Sequence, residues 1–247
     1  MLSYVDKIDM IEKLKAKYKI SDMQLDYLKS LDVYDSLHIE GNTLSRSVIT
    51  AFLENGITVH NKPFKEFLEV KDYSNTLSFL RRNVDKLFIF TPMFIKSIHR
   101  TVTQGLFSIE EDRLCGGYRD DAVFLRGSVY VPPYWEEVPK LVEEVCEKYN
   151  GWTGNDYTTR FENIITTYRM LESVHPFFDG NGRTGRIIMN YLLLCNDYPF
   201  LWIPSIKREG YLKSFSHLDD CIEFHADCLL NVFDLLAGKK YGKDMED

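Results

Sequence analysis

The chain has 247 residues, 45% hydrophobic and 27% charged, with 37 acidic against 30 basic side chains and a formal net charge of −7. That composition supplies one sizeable core, with room for a small appended segment. The acidic balance argues against broad nucleic-acid binding, which rests on Lys and Arg neutralising phosphates, and no apolar run approaches the roughly 18 residues of a membrane span.

Taken in chain order, the elements read as mostly helix. Val5, Ile8, Ile11, Leu14 and Tyr18 form one apolar helical stripe. The segment is amphipathic with mixed charge and lacks the basic start, apolar centre and small-residue cleavage site of a signal peptide. Ser21 is placed to cap a second helix over about 23–31, and a third, short one is expected over about 32–40 with Gly41 in its C-terminal cap. Ser45 and Gly56 bracket a fourth, and Pro63 opens a fifth that runs to about 84. Thr91-Pro92 opens another through Ile95, Ile98 and His99.

The pattern then changes. Gly116-Gly117-Tyr118-Arg119 precedes β-prone pieces around Gly127, over 123–131, which read as a small β-hairpin. Helix resumes over about 135–149. Phe161, Ile164, Ile165, Tyr168, Leu171 and Val174 make one apolar face that stops just before His175. Ile187, Ile188, Tyr191, Leu192, Leu194 and Cys195 make a helix apolar nearly all round, hence buried and central. Two more helices are expected over 208–236. Cys115, Cys146, Cys195, Cys221 and Cys228 are odd in number without CxxC spacing. They read as small core residues in a reducing, cytoplasmic setting, with no zinc site.

Between the last apolar face and the buried helix lies His175-Pro176-Phe177-Phe178-Asp179-Gly180-Asn181-Gly182-Arg183-Thr184-Gly185-Arg186. Glycines ahead of a helix allow close backbone approach, and the first helical amides have no intrahelical partner. With the helix dipole they favour a phosphate. Arg183 and Arg186, three apart, face similar directions and can fork onto phosphate oxygens. Asp179 is suited to carry Mg2+, which takes one or two carboxylates plus phosphates and water. His175 is the titratable base that can accept a proton from an attacking alcohol. Phe177 is expected to point into the core and fix the loop.

This segment resembles the signature of Fic-domain proteins, HxFx(D/E)GNGRxxR, and fills every specified position. The resemblance implies an all-α Fic fold with a small β-hairpin flap over the active site. It implies transfer of AMP from ATP to a Ser, Thr or Tyr hydroxyl of a protein, with release of pyrophosphate and Mg2+ as cofactor. Carried over by position, His175 is the general base and Asp179 the metal ligand. Gly180, Asn181, Gly182 and Arg183 hold the phosphates, and Arg186 contacts the γ-phosphate. The flap would dock the target segment by strand addition through Val123, Phe124, Leu125 and Val129. Gly117-Tyr118-Arg119 resembles the family's entry to that region.

A second stretch, Ser36-Leu37-His38-Ile39-Glu40-Gly41-Asn42, resembles the family's inhibitory pattern (S/T)xxxE(G/N). Ser36 and Glu40 share a helix face. In members with this pattern the glutamate pairs with the second motif arginine, here Arg186, and blocks productive placement of the γ-phosphate. The organisation expected is an N-terminal helical extension over 1–31, a Fic domain over 32–236 that includes the inhibitory helix at about 32–40, and a tail over 237–247. The partner expected is a protein with an acceptor hydroxyl, the chain itself included, with neither nucleic acid nor membrane; the resemblance leaves room for a homo-oligomer. No appended DNA-binding domain is expected, and around Val70-Lys71-Asp72 the chain departs from relatives that carry an asparagine after a Glu-Val pair. A different nucleotide donor, a de-AMPylating phosphodiesterase and a non-catalytic nucleotide sensor stay open at this point.

Overall fold

Local capping chemistry sets the helix boundaries of the computed structural model, which describes residues 2–124, 130–154 and 156–238. Helix α1, Tyr4–Lys17, begins with a reciprocal capping box between Ser3 and Asp6, and α2, Asp22–Ile39, with one between Ser21 and Gln24. Helix α3, Arg46–Asn55, lies between the Ser45 cap and left-handed Gly56. Helix α4 spans Phe64–Arg82 after Pro63, and α5, Pro92–Thr103, is capped by Thr91. A 3-10 turn at Trp135–Glu137 leads into α6, Val138–Asn150. The chain then forms α7, Tyr157–Val174; α8, Asn181–Cys195; α9, Arg208–Ser214; and α10, Leu218–Leu236.

Helix α8 is the axis of the core: every residue in it except Gly182 and Leu194 is buried. It packs against α7, α5, α4 and α2, while α10 closes the other side of α7 together with α1. This is the burial that an all-round apolar helix requires. The five cysteines are buried and free. No helix among the described residues is long and apolar enough to cross a membrane.

One expectation needs correction. The break expected between residues 31 and 32 is absent, and α2 runs straight through the boundary drawn there. Asp32, where the third helix was expected to begin, is buried mid-helix, and its carboxylate accepts a hydrogen bond from the Tyr73 hydroxyl at 2.7 Å. The hairpin expected over 123–131 lies largely outside the described residues, which contain no strand. Val123 and Phe124 lie in irregular backbone, with Phe124 84% exposed, and Leu125 and Val129 fall outside the described residues.

Helix α2 is pinned in place by Asp35. Its buried carboxylate accepts from Trp202 Nε1 at 2.7 Å and from the Ser205 amide and hydroxyl at 2.9 and 2.6 Å. Arg208 Nε caps the far end of the helix by donating to the Ile39 carbonyl at 2.8 Å. Replacing Asp35 with alanine strands buried donors, and a loss of about 3 kcal/mol of unfolding free energy is expected. Urea denaturation measures it; a loss under about 1 kcal/mol would mean that these donors find other partners.

Candidate active site

The site is built where α7 ends and α8 begins. His175 terminates α7 in the left-handed region, at φ 49° and ψ 62°. That conformation costs a non-glycine residue about 1–2 kcal/mol, so its surroundings must hold it. Buried Arg119 does so. Its Nε donates to the His175 carbonyl at 2.9 Å, its backbone amide donates to the Pro176 carbonyl at 2.9 Å, and its remaining guanidinium donors go to the carbonyls of Asp121, Pro133 and Val174. Arg119, from the Gly117-Tyr118-Arg119 stretch, is thus a clamp on the His175 turn.

Beyond the turn, Phe177 is buried and stacks on His99 with ring centroids 3.7 Å apart, as expected of a loop anchor. The Asn181 side chain closes the loop from within, accepting from the Phe177 amide at 2.9 Å and donating to the Phe177 carbonyl at 2.8 Å. Gly180 sits at φ 79°, and a Cβ there would lie 2.6 Å from the Thr103 methyl. The first turn of α8 therefore opens with amides that have no intrahelical acceptor.

The charged groups gather around this helix end. Asp179 Oδ1 accepts from the Gly180 amide at 2.6 Å and from Arg183 Nη2 at 2.8 Å, while its side chain remains 46% exposed. Burial raises its carboxyl, but Arg183, the Gly180 amide and Lys65 outweigh this and hold it below the usual range, so it is ionised. The partly exposed, ionised carboxylate beside free helix amides and an arginine is a donor set that fits one divalent cation shared with phosphates. Buried Arg183 also lies 3.2 Å from Glu69 Oε1, off the line of its N–H, so Nε and Nη1 have no hydrogen-bond partner among the described residues.

Arg186 is fully enclosed. Its Nε donates to Ser36 Oγ at 2.6 Å, and Nη2 to the Ser36 carbonyl at 2.9 Å and to Glu40 Oε1 at 2.7 Å. Nη1 donates to the Tyr211 hydroxyl at 3.3 Å. Burial would lower the Arg186 pKa; Glu40 leads the groups that reverse this and raise it. Gly182 makes the approach feasible, because a Cβ there would meet Glu40 Oε1 at 2.3 Å. Ser36, Glu40, His175, Asp179, Gly180, Asn181, Gly182, Arg183 and Arg186 thus converge on one loop. Among the described residues, Val123 and Phe124 form no hydrogen bond with it. A cavity of about 280 Å³ lined by Lys86, Tyr149, Trp152, Arg160 and Asn196 lies toward the other end of α8 and shares none of these residues.

Three further residues were not singled out from sequence. His99 accepts from the Gly116 amide at Nδ1, 2.9 Å away, so the proton sits on Nε2 and is donated to the Asp179 carbonyl at 2.8 Å. Burial pushes its pKa down to about 4, which keeps it neutral. Glu172 lies under α8 where Gly185 leaves space: a Cβ there would be 1.9 Å from Glu172 Oε1. Burial pushes that carboxyl up to about 7 against the pull of Arg186. Glu69 is the third. The partners of all three are backbone groups or side chains far away in sequence, so only His99's place on an apolar helix face left any trace.

A helical bundle around a buried central helix, with this loop at its N-terminus, defines the architecture of a Fic fold. Residues 89–193 match the model of the Fic/DOC family. Over 212 residues it is 27% identical to a Drosophila willistoni protein and 26% identical to a Drosophila melanogaster protein, both named protein adenylyltransferase Fic. The match takes in 82% of this chain but 40% and 41% of those proteins, so the chain spans about two fifths of the length of these curated relatives. Among solved structures, a Fic domain containing signaling protein from Bacteroides thetaiotaomicron superposes with a TM-score of 0.80 at 22% identity, covering 96% of this chain and 99% of that one. Fic-1 from C. elegans gives a TM-score of 0.76 at 22% identity, over 96% of this chain and 74% of that one. At these identities the two structures establish the fold.

The pKa of His175 is pushed down to about 4, first by burial and then by the positive charge of Arg119, against opposing pulls from the Glu172 backbone, Glu40 and Asp179. The ring is therefore neutral throughout the range where a free histidine titrates near 6.5. An NMR titration of the His175 ring between pH 7.5 and 5.5 should show no inflection; a midpoint near 6.5 would place the ring in solvent instead.

Proposed function

We propose that this chain is a self-inhibited protein adenylyltransferase, moving AMP from ATP to a Ser, Thr or Tyr hydroxyl of a protein. The observation that carries this reading is the convergence of a neutral histidine, an ionised aspartate and two buried arginines on one helix N-terminus, in a chain whose relatives are named for that activity. His175 takes the proton of the acceptor hydroxyl as its oxygen attacks the α-phosphorus. A new phosphoester bond forms, the bond from the α-phosphorus to its bridging oxygen breaks, and pyrophosphate leaves. The free amides of α8 and the unfilled donors of Arg183 stabilise charge on the phosphate oxygens. Asp179 would hold Mg2+, which supplies charge neutralisation at the phosphates when bound.

Arg186 serves the γ-phosphate in this scheme, and Glu40 occupies it in the structure described here. A carboxylate at that distance both consumes the arginine's donors and repels a triphosphate. Releasing Glu40 is therefore the activating event. The segment 123–131 is the region through which a target would dock, by main-chain pairing that tolerates varied side chains. One observation favours a second reading, removal of AMP from a modified protein: the Glu40 carboxylate lies against the Gly182 backbone inside the phosphate site, where a carboxylate can take a proton from water.

The test is label transfer from ATP in the presence of Mg2+, with the label on either the α- or the γ-phosphate. Protein-bound α-label should be low for the natural chain, rise strongly for Glu40→Gly, and fall by about 10²–10⁴ when His175→Ala is added. Label from the γ-phosphate would replace the proposal with a kinase. No label from either, together with release of AMP from an AMP-modified protein, would favour the second reading.

A further inference from the structure

Arg186 has an evident partner in the inhibitory helix; Arg183, three residues earlier, faces a different element. Glu69 projects from α4 with its side chain 16% exposed. One oxygen, Oε1, lies 3.2 Å from Arg183 Nη1, and the other accepts from Asn42 Nδ2 at 2.9 Å. Asn42 is itself buried and fully committed. Its Nδ2 also donates to the Glu66 carbonyl at 3.1 Å, and its Oδ1 accepts from the Leu44 amide at 3.1 Å. The Glu69 carboxylate is therefore held in one place by a rigid side chain and points its second oxygen at the guanidinium.

Asn42 stands two residues after Glu40, on the same turn that closes α2. The turn thus reaches both arginines: Arg186 directly through Glu40, and Arg183 through Asn42 and Glu69. The two contacts differ in kind. Glu40 accepts from Nη2 of Arg186 with good geometry, whereas Glu69 sits off the N–H line and leaves Nε and Nη1 of Arg183 open among the described residues. A carboxylate that balances a buried charge without consuming its donors orients the group for another acceptor.

Resting on the adenylyltransferase reading, we infer that Glu69 is a positioning residue: it fixes Arg183 for the phosphates of the nucleotide and couples that arginine, through Asn42, to the inhibitory turn. Asp179 is the other carboxylate on Arg183 and is also the residue placed for the metal. Without Glu69, Arg183 collapses onto Asp179 and competes for the same oxygens. Loss of Glu69 therefore weakens nucleotide binding even though it removes a negative charge from the site.

The experiment is isothermal titration of ATP with Mg2+ into the full chain carrying Glu40→Gly, with folding checked by circular dichroism. Glu69→Gln keeps the side-chain volume and a contact to Asn42 while removing the charge. It should weaken ATP binding by about tenfold when Arg183 is present and by less than about twofold when Arg183→Met is present. Asn42→Ala should weaken binding in the same direction and not additively with Glu69→Gln. An equal loss in both Arg183 backgrounds, or no loss with Arg183 intact, overturns the inference while leaving the adenylyltransferase reading standing. Failure of the Glu40→Gly chain to bind ATP at all overturns both.

Discussion

Arg186, buried on the central helix, is the guanidinium whose counter-charge organises the site. Removing a charge from water costs several kcal/mol even after relaxation, and the attraction of a partner offsets this only in good geometry. Glu40 provides the carboxylate and Ser36 fills two further donor positions, both from the last turns of α2. That end of α2 is set by Asp35 on the 202–205 segment and by Arg208 on its final carbonyl. Much of the bundle's arrangement around α8 can be seen as the scaffold that brings one carboxylate to one arginine. The pair is also asymmetric: the arginine is enclosed, whereas the glutamate side chain is 37% exposed. The exposed partner is the one able to leave.

The His175 turn depends on backbone carbonyls instead. His175 in a left-handed conformation is unfavourable by itself, and Arg119 has no carboxylate partner among the described residues that would draw it away. Each of its three guanidinium nitrogens donates to a carbonyl oxygen. His99 does similar work from the opposite side, in a single tautomer dictated by the Gly116 amide. Both are charged or titratable residue types used as fixed hydrogen-bond donors. Burial serves the same purpose, since it keeps His99 and His175 neutral.

The motif loop was legible in the sequence because its chemistry is contiguous: glycines, amide, carboxylate and arginines act within twelve residues of chain. The burial of α8 was legible too, since few helices are apolar all round. Glu40 was legible only through resemblance, because nothing in local spacing says that residues 40 and 186 meet. Glu69, Glu172 and the clamp by Arg119 were not legible, as each acts on a distant backbone or through space left by a glycine. The misplaced break in α2 has a similar origin. Asp32 was the expected start of a new helix, and only the tertiary contact with Tyr73 shows why it sits mid-helix.

Gly182 answers to two occupants of the same small space. The Glu40 carboxylate sits against it in this structure, and on the proposed reading a phosphate would take the same bare backbone once that carboxylate leaves. A side chain at this position would evict both. On that reading, escape from inhibition by change at residue 182 is closed, because it removes the phosphate seat along with the brake. Freedom to evolve the setting of such a switch lies at the end of α2, more than a hundred residues before the loop in sequence, where substitutions can loosen the carboxylate and leave the loop intact.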